Sequence, residues 1–165
     1  MGFGKHRQIL EKGSRAPDFS LADLQGEVVS AWQILSQGPV LFAFFKISCP
    51  VCQLTLPFLE RFHQQLDRGV LQVFGVSQND EGATRRFGHE FDLTLPMLLD
   101  TAASGYPVSN GFGISQVPSM FLVEQDGTIA WASEGFSKQD LEDLGHRFAM
   151  NPFRADEEVP AFRAG

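Results

Sequence analysis

Cys49 and Cys52 are the only cysteines in the chain, and they stand two residues apart in Phe44-Phe45-Lys46-Ile47-Ser48-Cys49-Pro50-Val51-Cys52-Gln53. Thiols at this spacing can join and part as a disulfide, so the pair reads as a redox-active dithiol. Upstream, Pro39-Val40-Leu41-Phe42-Ala43-Phe44-Phe45 is an apolar run bounded by Gly38-Pro39 and Lys46, the pattern of a strand buried on both faces. Downstream, Val51, Leu54, Phe58, Phe62 and Leu66 recur at helical spacing. The cysteines therefore fall where a strand hands over to a helix.

That junction decides which sulfur attacks. The backbone N–H groups of a first helical turn lack intrahelical acceptors and carry partial positive charge, so an anion is stabilised there. Cys49, at or just before the helix start, is favoured as the thiolate. A free thiol is only a few per cent ionised at pH 7, and a pKa of about 7 makes it half ionised, about 2 kcal/mol of stabilisation. Cys52, roughly one turn on, is expected to be shielded, within reach of Cys49 but not of a substrate. Cys49 is then the nucleophile that forms a mixed disulfide, and Cys52 the thiol that resolves it. Lys46, three residues before Cys49, either stabilises this thiolate electrostatically or points into solvent from the strand end.

The elements around the dithiol follow from pattern. Phe19 to Val29 alternates through Gly26 and predicts a leading hairpin, and residues 30–38 a helical turn. Val70 to Val76 is a second buried strand, Asp80 to His89 a helix with Ala83, Phe87 and Phe91 inward, and Thr94 to Leu99 a short strand. Residues 101–112 form a short helix or loop. Ser119–Glu124 and Thr128–Ala132 make a hairpin across Gln125-Asp126-Gly127, and Ser137-Lys138-Gln139-Asp140 opens a final helix with Leu141, Leu144 and Phe148 on the sheet. From Asn151 on, Pro152, Pro160 and Asp156-Glu157-Glu158 interrupt any pattern, which predicts a tail on the surface or loosely ordered. The result is an α/β class fold: a central mixed sheet with helices on both faces, divided into an extension at 1–12, one domain at 13–150 and a tail at 151–165.

Several stretches resemble the thioredoxin-like superfamily, and in particular its redoxin branch of TlpA/ResA-like and AhpC/TSA-type proteins. Gly13-Ser14-Arg15-Ala16-Pro17-Asp18-Phe19 resembles the redoxin opening, Pro57 the proline in the active-site helix, and Gly75-Val76-Ser77 a redoxin strand end. Val117-Pro118-Ser119-Met120-Phe121-Leu122-Val123 followed by Asp126-Gly127 resembles the cis-proline strand and hairpin. The resemblance implies a thioredoxin-like fold with a redoxin-type insertion, a cis Val117–Pro118 bond opposite the Cys49 sulfur, and thiol–disulfide exchange. The edge at Val117, with Pro50, Val51 and Lys46 beside the cysteines, is the expected docking surface for an extended substrate. Ser48 stands where thioredoxin has Trp and Ala43 where it has a buried Asp, so the Cys52 proton must leave by another route. Pro57 is read mainly as a structural kink.

Other chemistries fare less well. The peroxidase motif Pro-x-x-x-Thr/Ser-x-x-Cys fails in both registers: counting from Cys49 it places Phe42 and Lys46, and from Cys52 it places Phe45 and Cys49. Peroxide reduction with Cys49 as peroxidatic and Cys52 as resolving cysteine remains the alternative function, and a non-enzymatic binding domain the second. A zinc site needs four ligands, and His63 has no second histidine or cysteine nearby, so no metal and no cofactor is expected. His6, His63, His89 and His146 fall on polar faces. The net charge of −7 disfavours nucleic acid and anionic membrane as partners, leaving disulfide-containing proteins or thiols and an unidentified thiol reductant. The opening residues contain no apolar stretch of signal-peptide length, which predicts a cytoplasmic protein, and His6 breaks the myristoylation motif that Gly2 would begin. Val51 supplies no imidazolium to the thiolate, which predicts a reducing or intermediate potential.

Overall fold

A computed structural model describes residues 8–165. The expectations for Gly2 and His6, and most of the 1–12 extension, lie outside them. The leading hairpin is β1 (Ser20–Asp23) and β2 (Val28–Ser30). It feeds α1 (Ala31–Leu35), where the Ser30 hydroxyl accepts the Gln33 N–H and the Gln33 side chain accepts the Ser30 N–H. Then come β3 (Val40–Phe45), α2 (Pro50–Gln65), β4 (Gln72–Ser77), α3 (Glu81–Glu90) and β5 (Met97–Leu99). After a 3-10 turn at Ala102–Ser104 follow α4 (Pro107–Gly111), β6 (Ser119–Val123), β7 (Ile129–Glu134), β8 (Phe136–Ser137), α5 (Lys138–Arg147) and β9 (Phe162–Arg163).

Seven strands form one sheet in the order β2-β1-β5-β4-β3-β6-β7. The inner three, β5, β4 and β3, run parallel, and β6 and β1 flank them antiparallel. Strand β3 is buried throughout, and its two-residue period divides it between two cores. Leu41, Ala43 and Phe45 pack with Leu56, Leu59 and Phe62 of α2, Phe87 of α3 and Leu141 of α5. Val40, Phe42 and Phe44 pack on the opposite face with Ile34 of α1, Val108 of α4 and Phe112. At Gly75 in β4 the space is filled by neighbours: a Cβ there would stand 2.5 Å from the Met97 sulfur and 3.0 Å from the Phe45 ring, so both would have to shift.

Two expectations are corrected. The strand predicted from Thr94 begins only at Met97, because the buried carboxylate of Glu60 accepts the N–H groups of Thr94 (2.6 Å) and Leu95 (3.0 Å) and draws them toward α2. The segment 151–165 is also not loose. Phe153 is 8% exposed and packs edge-on against Phe58, with ring centres 4.9 Å apart. Arg61 of α2 donates to the Pro152 carbonyl at 2.7 Å and grips Glu157 with both guanidinium nitrogens, at 2.7 and 3.1 Å. That pairing holds the Glu157 carboxyl below its ordinary range. Strand β9 then pairs antiparallel with β8.

Removing the Phe153 ring leaves a hole between Phe58 and Phe136. Phe153→Ala is therefore expected to lower unfolding free energy by about 3 kcal/mol, measured by chemical denaturation; a loss under about 0.5 kcal/mol, the range of an ordinary surface substitution, would mean the segment contributes nothing to the core.

Candidate active site

Helix α2 begins with a sulfur. Cys49 is its N-cap, extended at φ −86 and ψ 113, and its Sγ accepts the Cys52 N–H at 3.1 Å. A thiol thus fills the place usually held by a Ser, Thr, Asp or Asn oxygen, satisfying one of the helix's orphan donors. Pro50 at the first helical position lacks an N–H that would have gone unpaired and presets the helical φ.

The backbone before the cap is held on both sides. The Ile47 N–H donates to Asn79 Oδ1 at 3.0 Å, and the Ile47 carbonyl accepts from Gln53 Nε2 at 2.9 Å. Asn79 is fixed in turn, since its N–H donates to Ser77 Oγ at 3.1 Å, and Ser77 shares a 2.6 Å hydrogen bond with Thr84 of α3. Neither Asn79 nor Gln53 was marked by sequence reasoning. Their polar side chains next to the ends of β4 and of the dithiol loop were the available signal.

Opposite the cap lies the loop before β6. The Val117–Pro118 peptide bond is cis, as the resemblance implied, and the Cys49 thiol donates to the Val117 carbonyl at 3.6 Å. Cys49, Cys52, Val117 and Pro118 therefore come together. Pro50 is exposed and Val51 half-buried beside them. Lys46 does not join them: it is exposed, its ammonium lies 5.9 Å above the Tyr106 ring, and the polar partners of the Cys49 sulfur are Val117 and Cys52. Tyr106, in left-handed backbone at φ 51, is the residue beneath the Lys46 ammonium and was not singled out by the sequence.

The two thiols are unequal. Cys49 is half-buried and Cys52 fully buried, and both are free thiols. Burial pushes the Cys52 thiol far above its ordinary value of 9.0, and its hydrogen bond with Cys49 pushes the same way. Ala43, at the position of thioredoxin's buried acid, lies in the same core cluster as Cys52, and among the described residues no carboxylate hydrogen-bonds to either sulfur. A 580 Å³ cavity lies between the β1–β2 hairpin, α1, α3 and Leu95–Met97, and neither cysteine lines it. The dithiol lies outside it, with exposed Lys46, Ser48 and Pro50 around half-buried Cys49.

Residues 12–132 match the AhpC/TSA family. The chain belongs to that family. It is 26% identical over 144 residues to the thiol-disulfide oxidoreductase ResA of Halalkalibacterium halodurans, an alignment covering 86% of this chain and 80% of that protein. The thioredoxin domain of a thiol-disulfide oxidoreductase from Bacteroides vulgatus superposes with a TM-score of 0.73 at 24% identity, covering 84% of this chain and 98% of that one. The peroxidoxin BcpB of Mycobacterium tuberculosis superposes with a TM-score of 0.67 at 20% identity, covering 90% and 99%. The fold is thioredoxin-like, and its mixed sheet with helices on both faces is the architecture expected.

Two outcomes follow from this geometry. Because Cys52 is held neutral in the folded dithiol, its burial favours folding fully below the unfolded thiol value and the advantage is lost as pH rises beyond it. The reduced protein should lose up to about 1.4 kcal/mol per pH unit from this group above pH ~9, and Cys52→Ala should flatten that slope in denaturation curves; identical slopes would contradict the assignment. Asn79→Ala removes the acceptor of the Ile47 N–H, with an expected cost of about 1 kcal/mol and faster hydrogen exchange at Ile47.

Proposed function

We propose that the chain exchanges its Cys49–Cys52 dithiol with disulfide substrates through a mixed disulfide. One observation carries this reading: the exposed-side sulfur caps α2 and faces the Val117 carbonyl, while its partner waits one turn away in the core. Cys49 as thiolate attacks one sulfur of the substrate disulfide, forming the Cys49–substrate bond and releasing the other substrate sulfur as a thiolate. Cys52 then loses its proton and attacks the Cys49 sulfur, forming the Cys49–Cys52 disulfide and releasing the second substrate thiolate. Both thiolates take up protons, so one substrate disulfide becomes two thiols and the protein dithiol becomes a disulfide. A thiol reductant reverses the change.

The backbone N–H of Cys52 has a defined part in this sequence. When Cys52 attacks, the Cys49 sulfur is no longer the nucleophile but the atom attacked, and the N–H keeps it at the head of the helix, facing Cys52. In the reverse direction Cys49 is the leaving thiolate, and the same N–H stabilises its charge. Kinship to a peroxidoxin supplies the fold only. Where a hydroxyl would position the peroxide, this chain has the exposed Lys46.

Insulin reduction tests the assignment. Cys49→Ser is expected to lower the rate at least 1,000-fold, in line with loss of an essential nucleophile. Cys52→Ser is expected to stop after one step and accumulate a mixed disulfide through Cys49, visible as an added mass. Parental rates in both variants would overturn the mechanism.

A further inference from the structure

The segment after α5 runs to the edge that the substrate needs. It is rooted by Phe153 in the core and by Glu157 on Arg61 of α2, the helix that begins at Cys49. Val159 packs on the same core cluster. Beyond this root the hold weakens. The Ala161 carbonyl accepts the Lys138 N–H at 3.0 Å, Phe162 and Arg163 form the two-residue β9 ladder with β8, and residues 161–165 are all exposed, Phe162 at 56%.

The outer residues cross Gly135 and reach Val117. A Cβ built on Gly135 would stand 3.2 Å from the Gly165 nitrogen and 3.5 Å from the Ala164 Cα. One built on Gly165 would collide with the Val117 carbonyl oxygen and lie 2.9 Å from its carbon. That oxygen is the acceptor of the Cys49 thiol. Gly135 is itself tied to the cis-proline loop, its N–H donating to the Pro118 carbonyl at 2.8 Å. The strap thus lies against the same Val117 carbonyl that the Cys49 thiol faces.

We propose that residues 161–165 act as a built-in competitor for extended polypeptide at the Val117 edge, so that the strap gates protein disulfides and leaves small disulfides ungated. This rests on the oxidoreductase reading. A polypeptide strand that pairs with Val117 must first peel Gly165 and Ala164 away, whereas a small disulfide has only to reach the Cys49 sulfur. The firm root and loosely held outer part suit a strap that opens without unfolding the domain. A bound polypeptide substrate therefore carries the cost of displacing the strap, which lowers its apparent affinity by the fraction of molecules that are open.

The test compares the full chain with two variants, a chain stopped after Pro160 and Gly165→Ala, whose added methyl cannot share space with the Val117 carbonyl. Each is assayed with insulin as the polypeptide disulfide and with 2-hydroxyethyl disulfide as the small one. Both variants are expected to raise kcat/KM for insulin about fivefold or more and to leave 2-hydroxyethyl disulfide within twofold. A matching rise on both substrates, no change, or a fall on insulin in both variants overturns the gate. A second measurement uses the Cys52→Ser chain joined through Cys49 to a cysteine-containing peptide: hydrogen exchange at Phe162 and Arg163 should accelerate on loading, and unchanged protection overturns the proposal. A full chain that reduces neither disulfide and forms no such adduct defeats the oxidoreductase reading, which separates that failure from failure of the gate alone.

Discussion

The hydrogen bond from the Cys52 N–H to the Cys49 sulfur ties the helix to the chemistry. A helix start leaves four backbone donors without partners, and here one of them is met by the atom that reacts. Capping and reactivity thereby become one constraint. The sulfur must keep an extended backbone at Cys49 and a helical one from Pro50, and that same posture turns it toward Val117. A serine at this position would cap the helix equally well and could not form a disulfide.

Everything around that bond fixes it from a distance. The face of β3 that carries Leu41, Ala43 and Phe45 receives α2 and sets how deep Cys52 lies. Parallel pairing of β3 with β4 brings Ser77 level with Phe45, so Asn79 arrives beside the dithiol loop and takes the Ile47 N–H. Antiparallel pairing of β3 with β6, down to Phe44 opposite Ser119, delivers Pro118 and Val117 to the other side of the sulfur. Three strand ends thus converge on one helix terminus, at the carboxyl ends of the inner strands, where open α/β sheets place their sites.

Much of this was written locally in the chain. The β3 run, the Cys-x-x-Cys spacing at a strand-to-helix junction and the hairpin around Asp126-Gly127 each depend on neighbours within a few residues, so pattern alone disclosed them. The clamp on Ile47 joins residues 32 apart and the grip of Arg61 on Glu157 joins residues 96 apart, and no periodicity announces such pairs. Prolines and the acidic triplet at 156–158 read as solvated chain, yet Glu157 has an arginine waiting on α2 and Phe153 a slot between two rings. Thr94 and Leu95 had strand composition, but the buried carboxylate of Glu60 competes for their N–H groups and wins, because a buried charge left without donors costs more than a lost ladder bond.

Burial also bears on the resolving step of the proposed exchange. Cys52 is pushed toward its neutral form by the core around it, and with Ala43 where an acid stands in thioredoxin, no carboxylate among the described residues is hydrogen-bonded to it to take its proton. Attack on the mixed disulfide must wait for that proton to reach a departing substrate thiolate or water. During the wait the proposed mixed disulfide joins the substrate to Cys49 by a single bond, and the surface beside that bond is the edge at Val117. In the proposed exchange, docking at that edge therefore matters most while Cys52 still holds its proton. Moving Cys52 outward would give up the core contacts of α2, whereas holding the substrate on Val117 leaves that core intact and costs the displacement of the strap.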